Sequence, residues 1–299
     1  MDEPANVSGS VAPSGLSSEL LGYPADARVL IVNNDDFGMS HAINAAVIAS
    51  IADGIAASCS LMVPCPGAPE AMGLLRRWPE IPFGIHLTLV CDTAHHRWGP
   101  VAARERLPSL LDGDGELFTP PRIPELLARA RIEEVETEFR AQIDTAADAG
   151  LAPTHLDWHC LADGGRDDIF DLTVALAGEY GLAVRVWLEP GRRKLRPRGL
   201  PVTDHPFLDS FSLDIEGKRD RYAELLRELP AGLSEWAVHP GLGTAEARAI
   251  EPDGWRVRRS DYAFLTAPET RELLRREGIV VIDYRALQQV WSRIGAARP

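Results

Sequence analysis

Short apolar runs of strand-forming residues alternate with helix-patterned stretches along most of the chain. That alternation constrains the fold more than any other feature. The runs fall at Val29-Leu30-Ile31-Val32, 58–63, 83–89, 154–159, 183–188, 235–239 and 279–283. Several are continuous Val, Ile and Leu rather than alternating apolar and polar, the pattern of strands covered on both faces. Between them, residues 42–51, 68–78, 132–149, 168–180, 221–229 and 268–277 place apolar side chains at helical spacing. The spacing predicts an α/β fold, a single (β/α) barrel-like domain over 28–299 with about seven parallel strands and outer helices. Residues 1–27, rich in Ser, Pro, Ala and Gly, read as a flexible leader. Two stretches, 91–120 and 189–206, lose periodicity and are expected to be loops.

Composition narrows the partners. With 44 acidic and 31 basic residues the net charge is −13, which repels phosphate backbones and argues against nucleic acid. No apolar run is long enough to span a bilayer, so no membrane is expected. The first 27 residues lack the basic start and apolar centre of a secretory signal. The four cysteines, Cys59, Cys65, Cys91 and Cys160, form no Cys-x-x-Cys pair, so reduced thiols in the cytoplasm are expected. Cys160 in particular reads as a small buried thiol.

The polar residues fall where a parallel barrel keeps its chemistry. The first run breaks into Asn33-Asn34-Asp35-Asp36, then Phe37-Gly38-Met39-Ser40-His41. Alone, such a stretch is equally a polar turn with a helix cap, Ser40 being the natural cap. His86 lies in the third run, His155, Asp157 and His159 occupy the fourth, and His239 ends the sixth. The carboxyl ends of parallel barrel strands open on one face, so these residues converge. Each histidine alone is more simply a hydrogen-bonded core residue. Together, two imidazoles and one carboxylate suit a divalent metal such as Zn²⁺, Mn²⁺, Ni²⁺ or Fe²⁺. A neighbouring carboxylate would then act as general base and a further histidine as acid, the machinery of metal-assisted hydrolysis. The loop histidines His95 and His96 read as surface residues.

The motifs Asn33-Asn34-Asp35-Asp36-Phe37-Gly38, Gly84-Ile85-His86-Leu87, Thr154-His155-Leu156-Asp157-Trp158-His159 and His239-Pro240 resemble, in order and spacing, the YdjC-like carbohydrate deacetylases. That family includes chitooligosaccharide and hopanoid-biosynthesis deacetylases. The resemblance implies a barrel-like fold related to the polysaccharide deacetylases and removal of acetyl groups from N-acetylated sugars. It implies one divalent metal ion, Mg²⁺ or Zn²⁺, held by Asp36, His86 and His159. Asp35 would be the general base and His239 the general acid. Arg185 would bind substrate or orient a carboxylate, while Asp157 and His155 would support the ligands. The partner would be a small acetylated sugar, with a homodimer left open. Asn34 stands where the family usually has Ala, and Cys160-Leu161-Ala162 replaces a His-rich run. Trp98, Trp158, Trp187 and Trp255 offer sugar-stacking rings, though core packing is the commoner fate of tryptophan. The competing readings are a two-His-one-carboxylate iron oxygenase and a non-catalytic sugar-binding barrel.

Overall fold

The computed structural model describes residues 15–296. Eight strands are present: β1 (Arg28–Phe37), β2 (Ser58–Leu61), β3 (Phe83–Leu87), β4 (His155–Trp158), β5 (Ala183–Val184), β6 (Leu208–Asp209), β7 (Gly232–Val238) and β8 (Ile279–Ile282). They form one all-parallel sheet in the order β5-β4-β3-β2-β1-β7-β6, with β8 also on β1. Seven strands match the predicted runs. The eighth, β6, is a two-residue strand with too little sequence to carry a periodic signal.

β1 is the centre of the sheet. It pairs with β7 from Arg28 to Asn34, with β8 from Arg28 to Ile31, and with β2 between Asn33 and Phe37. β8 and β2 therefore share one side of β1, one after the other. Ten residues long and buried from Val29 onward, β1 has to satisfy both faces, which explains its unbroken Val-Leu-Ile-Val start. No pairing joins β5 to β6 among the described residues, so the sheet curls into a half-barrel rather than closing.

Apolar packing lies mainly between the sheet and its helices. One large cluster runs from Val29 and Ile31 through Phe139, Ile143 and Trp158 to Trp291, and a smaller one gathers Leu30, Val32, Tyr222, Trp236 and Phe264. The concave side differs: Asn33, Ser60, His86, His155, Asp157, Arg185 and Glu235 lie within it, all buried. Along β1 the apolar Val29 and Ile31 share this face with Asn33, so the polar cluster sits toward the carboxyl ends of the strands, above apolar positions.

Two expectations change, and the loop expected at 91–120 is present. The stretch 189–206 is not wholly loop: Pro190 stands in the first turn of a helix, Glu189–Leu195, a position where its missing N–H costs nothing. The strand expected to run to 188 ends at Val184, although the Arg185 N–H still donates to the Leu156 carbonyl at 3.0 Å. The stretch 91–120 is irregular but packed, with Trp98, Leu107, Leu110, Leu117 and Phe118 buried. Buried Glu138 accepts from the Val101 and Ala102 amides at 2.9 Å each, fastening it to the helix Ile132–Asp148.

Of the expected leader, residues 1–14 lie outside the described residues. The remainder includes a short helix, Ser17–Leu20, whose Ser17 amide donates to Asp204 Oδ1 at 2.8 Å. No helix among the described residues is long and apolar enough to cross a membrane.

Candidate active site

Adjacent residues on a regular strand point to opposite faces, so Asp35 and Asp36 should part company. They do not. The register of β1 against β2 shifts between Asn34 and Phe37, and Asp36 takes a left-handed backbone conformation with φ 65°. A bulge of this kind re-aims one side chain, and for a non-glycine residue it costs on the order of 1–3 kcal/mol. The result is that both carboxylates face the concave side: His86 Nε2 lies 3.9 Å from Asp35 Oδ2 and 3.4 Å from Asp36 Oδ1. Ser40 is the N-cap of the following helix, His41–Ala52, accepting from the Ile43 amide. Cap and site are thus separate residues of one turn.

Asp36, His86 and His159 bring one donor atom each to within 4.8 Å of one another. Asp36 Oδ1 lies 3.4 Å from His86 Nε2 and 3.2 Å from His159 Nδ1, and it is buried without a hydrogen bond. Two donors at ordinary zinc–ligand distances around one tetrahedral ion stand about 3.4 Å apart. The outer ring nitrogens are already engaged: His86 Nδ1 donates to Asp157 Oδ1 at 2.9 Å, and His159 Nε2 lies 2.6 Å from Asp92 Oδ1. Each carboxylate fixes the tautomer that leaves a lone pair facing Asp36, the usual support of a metal-binding histidine. An orphaned oxygen, two aimed imidazoles and their outer carboxylates fit a divalent cation.

Electrostatics agree. Burial lowers the tendency of His86 to protonate, yet Asp157 and Asp35 reverse this and push its pKa up to about 9. His159 is likewise held well above its ordinary value, burial being outweighed by Cys160 and Asp92. Burial also opposes ionisation of Asp36, but Arg258 and the two histidines hold its carboxyl well below the usual range. Asp35, Asp36, Asp92 and Asp157 together favour positive charge at this spot.

Asp35 is differently placed. Arg185 grips it with two hydrogen bonds, Nη1 to Oδ2 at 2.7 Å and Nη2 to Oδ1 at 2.8 Å, and Asn33 Nδ2 donates to Oδ1 at 2.8 Å. Burial would raise this carboxyl, but Arg185 and His86 prevail and keep it below its ordinary value. The guanidinium also meets Asp157 Oδ2 at 2.9 Å and Glu235 Oε1 at 2.8 Å. Arg185 is fully buried and does not line the cavity, so it orients carboxylates and offers substrate nothing. The substrate-binding role expected for it does not fit this geometry.

His155 lies deeper. Its ring stacks on Tyr284 at 3.6 Å and takes Thr154 Oγ1 and Ser60 Oγ as partners. It fills the space Gly84 leaves, since a Cβ there would come within 2.5 Å of the ring. Ser60 bridges onward to Asp157 Oδ2 at 2.6 Å. His239, one residue past β7, brings its Nε2 to 4.0 Å from Asp35 Oδ2.

These residues open on a cavity of about 350 Å³ whose lining includes Asp35, Asp36, His86, His159, His239 and Arg258. A neighbouring cavity of about 520 Å³ shares Asp92, Pro120, Phe211 and Glu251 with it. Asp92 and Arg258 carry no signal in the sequence. Asp92 begins the long irregular stretch, and Arg258 lies in the helix Trp255–Leu265, donating to Asp36 Oδ2 at 2.7 Å and Asp92 Oδ2 at 3.1 Å. Neither adjoins a strand end on β1, β3 or β4, so only tertiary packing reveals them. Trp158 and Trp187 do reach the cavity wall, whereas Trp98 is core. Phe211, absent from the aromatic candidates, is the more exposed ring at the mouth. His95 is exposed, and Cys160 is exposed rather than buried, its Sγ 3.3 Å from His159 Nε2.

Comparison with known proteins gives one consistent family. The model of the YdjC-like protein family matches residues 29–276. A carbohydrate deacetylase of Thermus thermophilus is 35% identical, the match covering 83% of this chain and 89% of the relative. One from Geobacillus stearothermophilus is 31% identical over 86% of this chain and 97% of its own length. Among solved structures, a protein of Enterococcus faecalis V583 described as a cellobiose-phosphate cleavage protein superposes with a TM-score of 0.73 at 25% identity. That match covers 87% of this chain and 99% of the other.

Proposed function

Since the chain belongs to the YdjC-like protein family, we propose that it is a carbohydrate N-deacetylase that uses one divalent metal ion to hydrolyse the acetamide of an N-acetylated sugar. The observation that carries this reading is the unpartnered, buried Asp36 Oδ1 facing two imidazole nitrogens at the carboxyl end of the sheet. Asp36, His86 and His159 would hold the ion. Imidazole donors suit Zn²⁺ and its first-row neighbours better than Mg²⁺, which prefers an all-oxygen shell. The bound ion would polarise the acetamide carbonyl and acidify water beside it.

The chain's own groups supply the rest. Asp35, kept ionised by Arg185, accepts a proton from the attacking water. Its carboxylate cannot rotate away, because Arg185 and Asn33 fix both oxygens. His239, whose Nε2 lies 4.0 Å from Asp35 Oδ2, gives a proton to the departing amine. Phe211 and Trp187 border the space for the sugar ring, whose apolar face suits an aromatic wall. The free thiols of Cys59, Cys65, Cys91 and Cys160 support a reducing compartment, the cytoplasm.

Acetate release from N-acetylglucosamine and its short β-linked oligomers tests this reading. The expected result is release with Zn²⁺, lost on chelation, restored by Zn²⁺, and indifferent to removal of O₂. Sugar binding without acetate release, with Zn²⁺, Mg²⁺, Mn²⁺ or Co²⁺ supplied, would make the barrel a binding protein. A requirement for O₂ would make it an oxygenase.

A further inference from the structure

His239 does not stand alone. Its Nδ1 lies 2.8 Å from Ser210 Oγ, and Ser210 Oγ donates to Asp261 Oδ2 at 2.6 Å. The same Asp261 oxygen accepts the His239 backbone amide at 3.0 Å. Its other oxygen takes the Tyr222 hydroxyl at 2.8 Å and the Lys218 ammonium at 2.7 Å. Ser210, Tyr222, Lys218 and Asp261 are all buried. Four elements meet here: the turn Ser210–Ser212, the helix Lys218–Arg227, the end of β7 and the helix Trp255–Leu265.

The chemistry of the donors leaves one arrangement. Beside a buried ammonium, Asp261 is a carboxylate and can only accept. A hydroxyl has one proton, and at 2.6 Å from that carboxylate Ser210 gives it to Asp261. Ser210 Oγ can then only accept from His239, so the proton on the neutral ring is on Nδ1. Asp209 Oδ1, 3.9 Å from Nδ1, is too far to compete. Phe211 packs edge-on against the ring at 4.8 Å and holds its plane.

We propose that Ser210 and Asp261 are positioning residues that lock His239 as the Nδ1–H tautomer, with Nε2 presented to the cavity. This rests on His239 being the group that protonates the leaving amine. The relay lets the ring take its second proton on Nε2, facing the substrate, while Asp261 stabilises the imidazolium through the Ser210 hydroxyl. In the transfer, the Nε2–H bond breaks, the proton forms an N–H bond on the leaving amine, and the ring returns to its neutral form with Nδ1–H unchanged. Without Ser210 the neutral ring would be free to place its proton on Nε2.

Long-range ¹H–¹⁵N spectra of the Zn²⁺-loaded protein, labelled in histidine, read the tautomer directly. They would be recorded at alkaline pH, with His239→Gln locating the signal. The wild type is expected to show Nδ1–H, Ser210→Ala to shift toward Nε2–H, and Ser210→Thr to restore the wild-type pattern. In acetate release, Ser210→Ala should lower kcat on the order of tenfold with KM unchanged, a part of what general acid catalysis contributes, and Ser210→Thr should recover it. Nε2–H in the wild type overturns the relay without need of any variant, as does a Ser210→Ala spectrum identical to the wild type. A tautomer that shifts as expected in a protein that releases no acetate supports the relay and sinks the deacetylase reading instead.

Discussion

Asp36 meets two demands that oppose each other, a left-handed backbone and a buried charge, and it meets them with three partners. Arg258 fixes one oxygen, and the two histidines flank the other. Asp92 stands to His159 as Asp157 stands to His86, so in the proposed metal site it would govern affinity more than chemistry. Asp92→Asn should weaken Zn²⁺ binding roughly 10- to 100-fold in competition with a chelating dye while kcat at saturating metal changes far less. Unchanged affinity would remove Asp92 from the site. Arg185 offsets Asp35, Asp157 and Glu235 in a buried space. Arg185→Met should therefore cost about 3–5 kcal/mol in denaturant unfolding, the loss expected when buried charges are left uncompensated. Glu235 gives a pH signature. Burial outweighs Arg185 and lifts its carboxyl from 4.5 to about 7. A carboxyl with a higher pKa folded than unfolded binds its proton more tightly in the native state, so its contribution to stability falls as pH rises from 4.5 to about 7. Between pH 5 and 7.5, metal-free Glu235→Gln should show a flatter stability curve than the wild type, by up to roughly 3 kcal/mol.

At the scale of elements, the bulge in β1 and the missing side chain in β3 do most to build the site. The bulge turns Asp36 beside Asp35, and Gly84 leaves room for the imidazole of His155 stacked on Tyr284. Gly84→Ala should destabilise the fold by about 1–3 kcal/mol, because the ring it strikes is backed by Tyr284 and held at both nitrogens by Thr154 and Ser60. A thermal midpoint equal to the wild type would show that the stack can yield. The strands that carry Asp35, Asp36, His86, His159 and His239 were legible because each is a polar interruption at or just past an apolar run. The helix Trp255–Leu265 was not legible. Its Arg258 and Asp261 look like solvent-facing charges in Trp-Arg-Val-Arg-Arg-Ser-Asp, and only packing against the barrel mouth buries them. The Ser210 turn escaped for a similar reason, since a two-residue strand has no period.

Across the whole molecule, most apolar packing lies between sheet and helices, and the charges gather on the concave side near the carboxyl ends of the strands, where they depend on one another. The α/β class and seven of the strands followed from sequence because parallel strands buried on both faces leave continuous apolar runs. The open edge between β5 and β6 did not, since it depends on how far the curl carries two very short strands. A metal that binds only the folded state should stabilise it. Zn²⁺ at a hundredfold excess over its Kd should add about 2.7 kcal/mol. For a domain of this size that corresponds to a rise of roughly 4–5 °C in Tm. Asp36→Ala should abolish that rise.

In the proposed mechanism adjacent aspartates divide the work, Asp36 to the metal and Asp35 to the water. Bound metal and acetate release, measured side by side for Asp35→Asn and Asp36→Asn, test it most directly. Asp35→Asn is expected to keep one equivalent of Zn²⁺ while its turnover collapses, and Asp36→Asn to lose the metal and the activity together. Full turnover in Asp35→Asn, or wild-type metal content in Asp36→Asn, would contradict it.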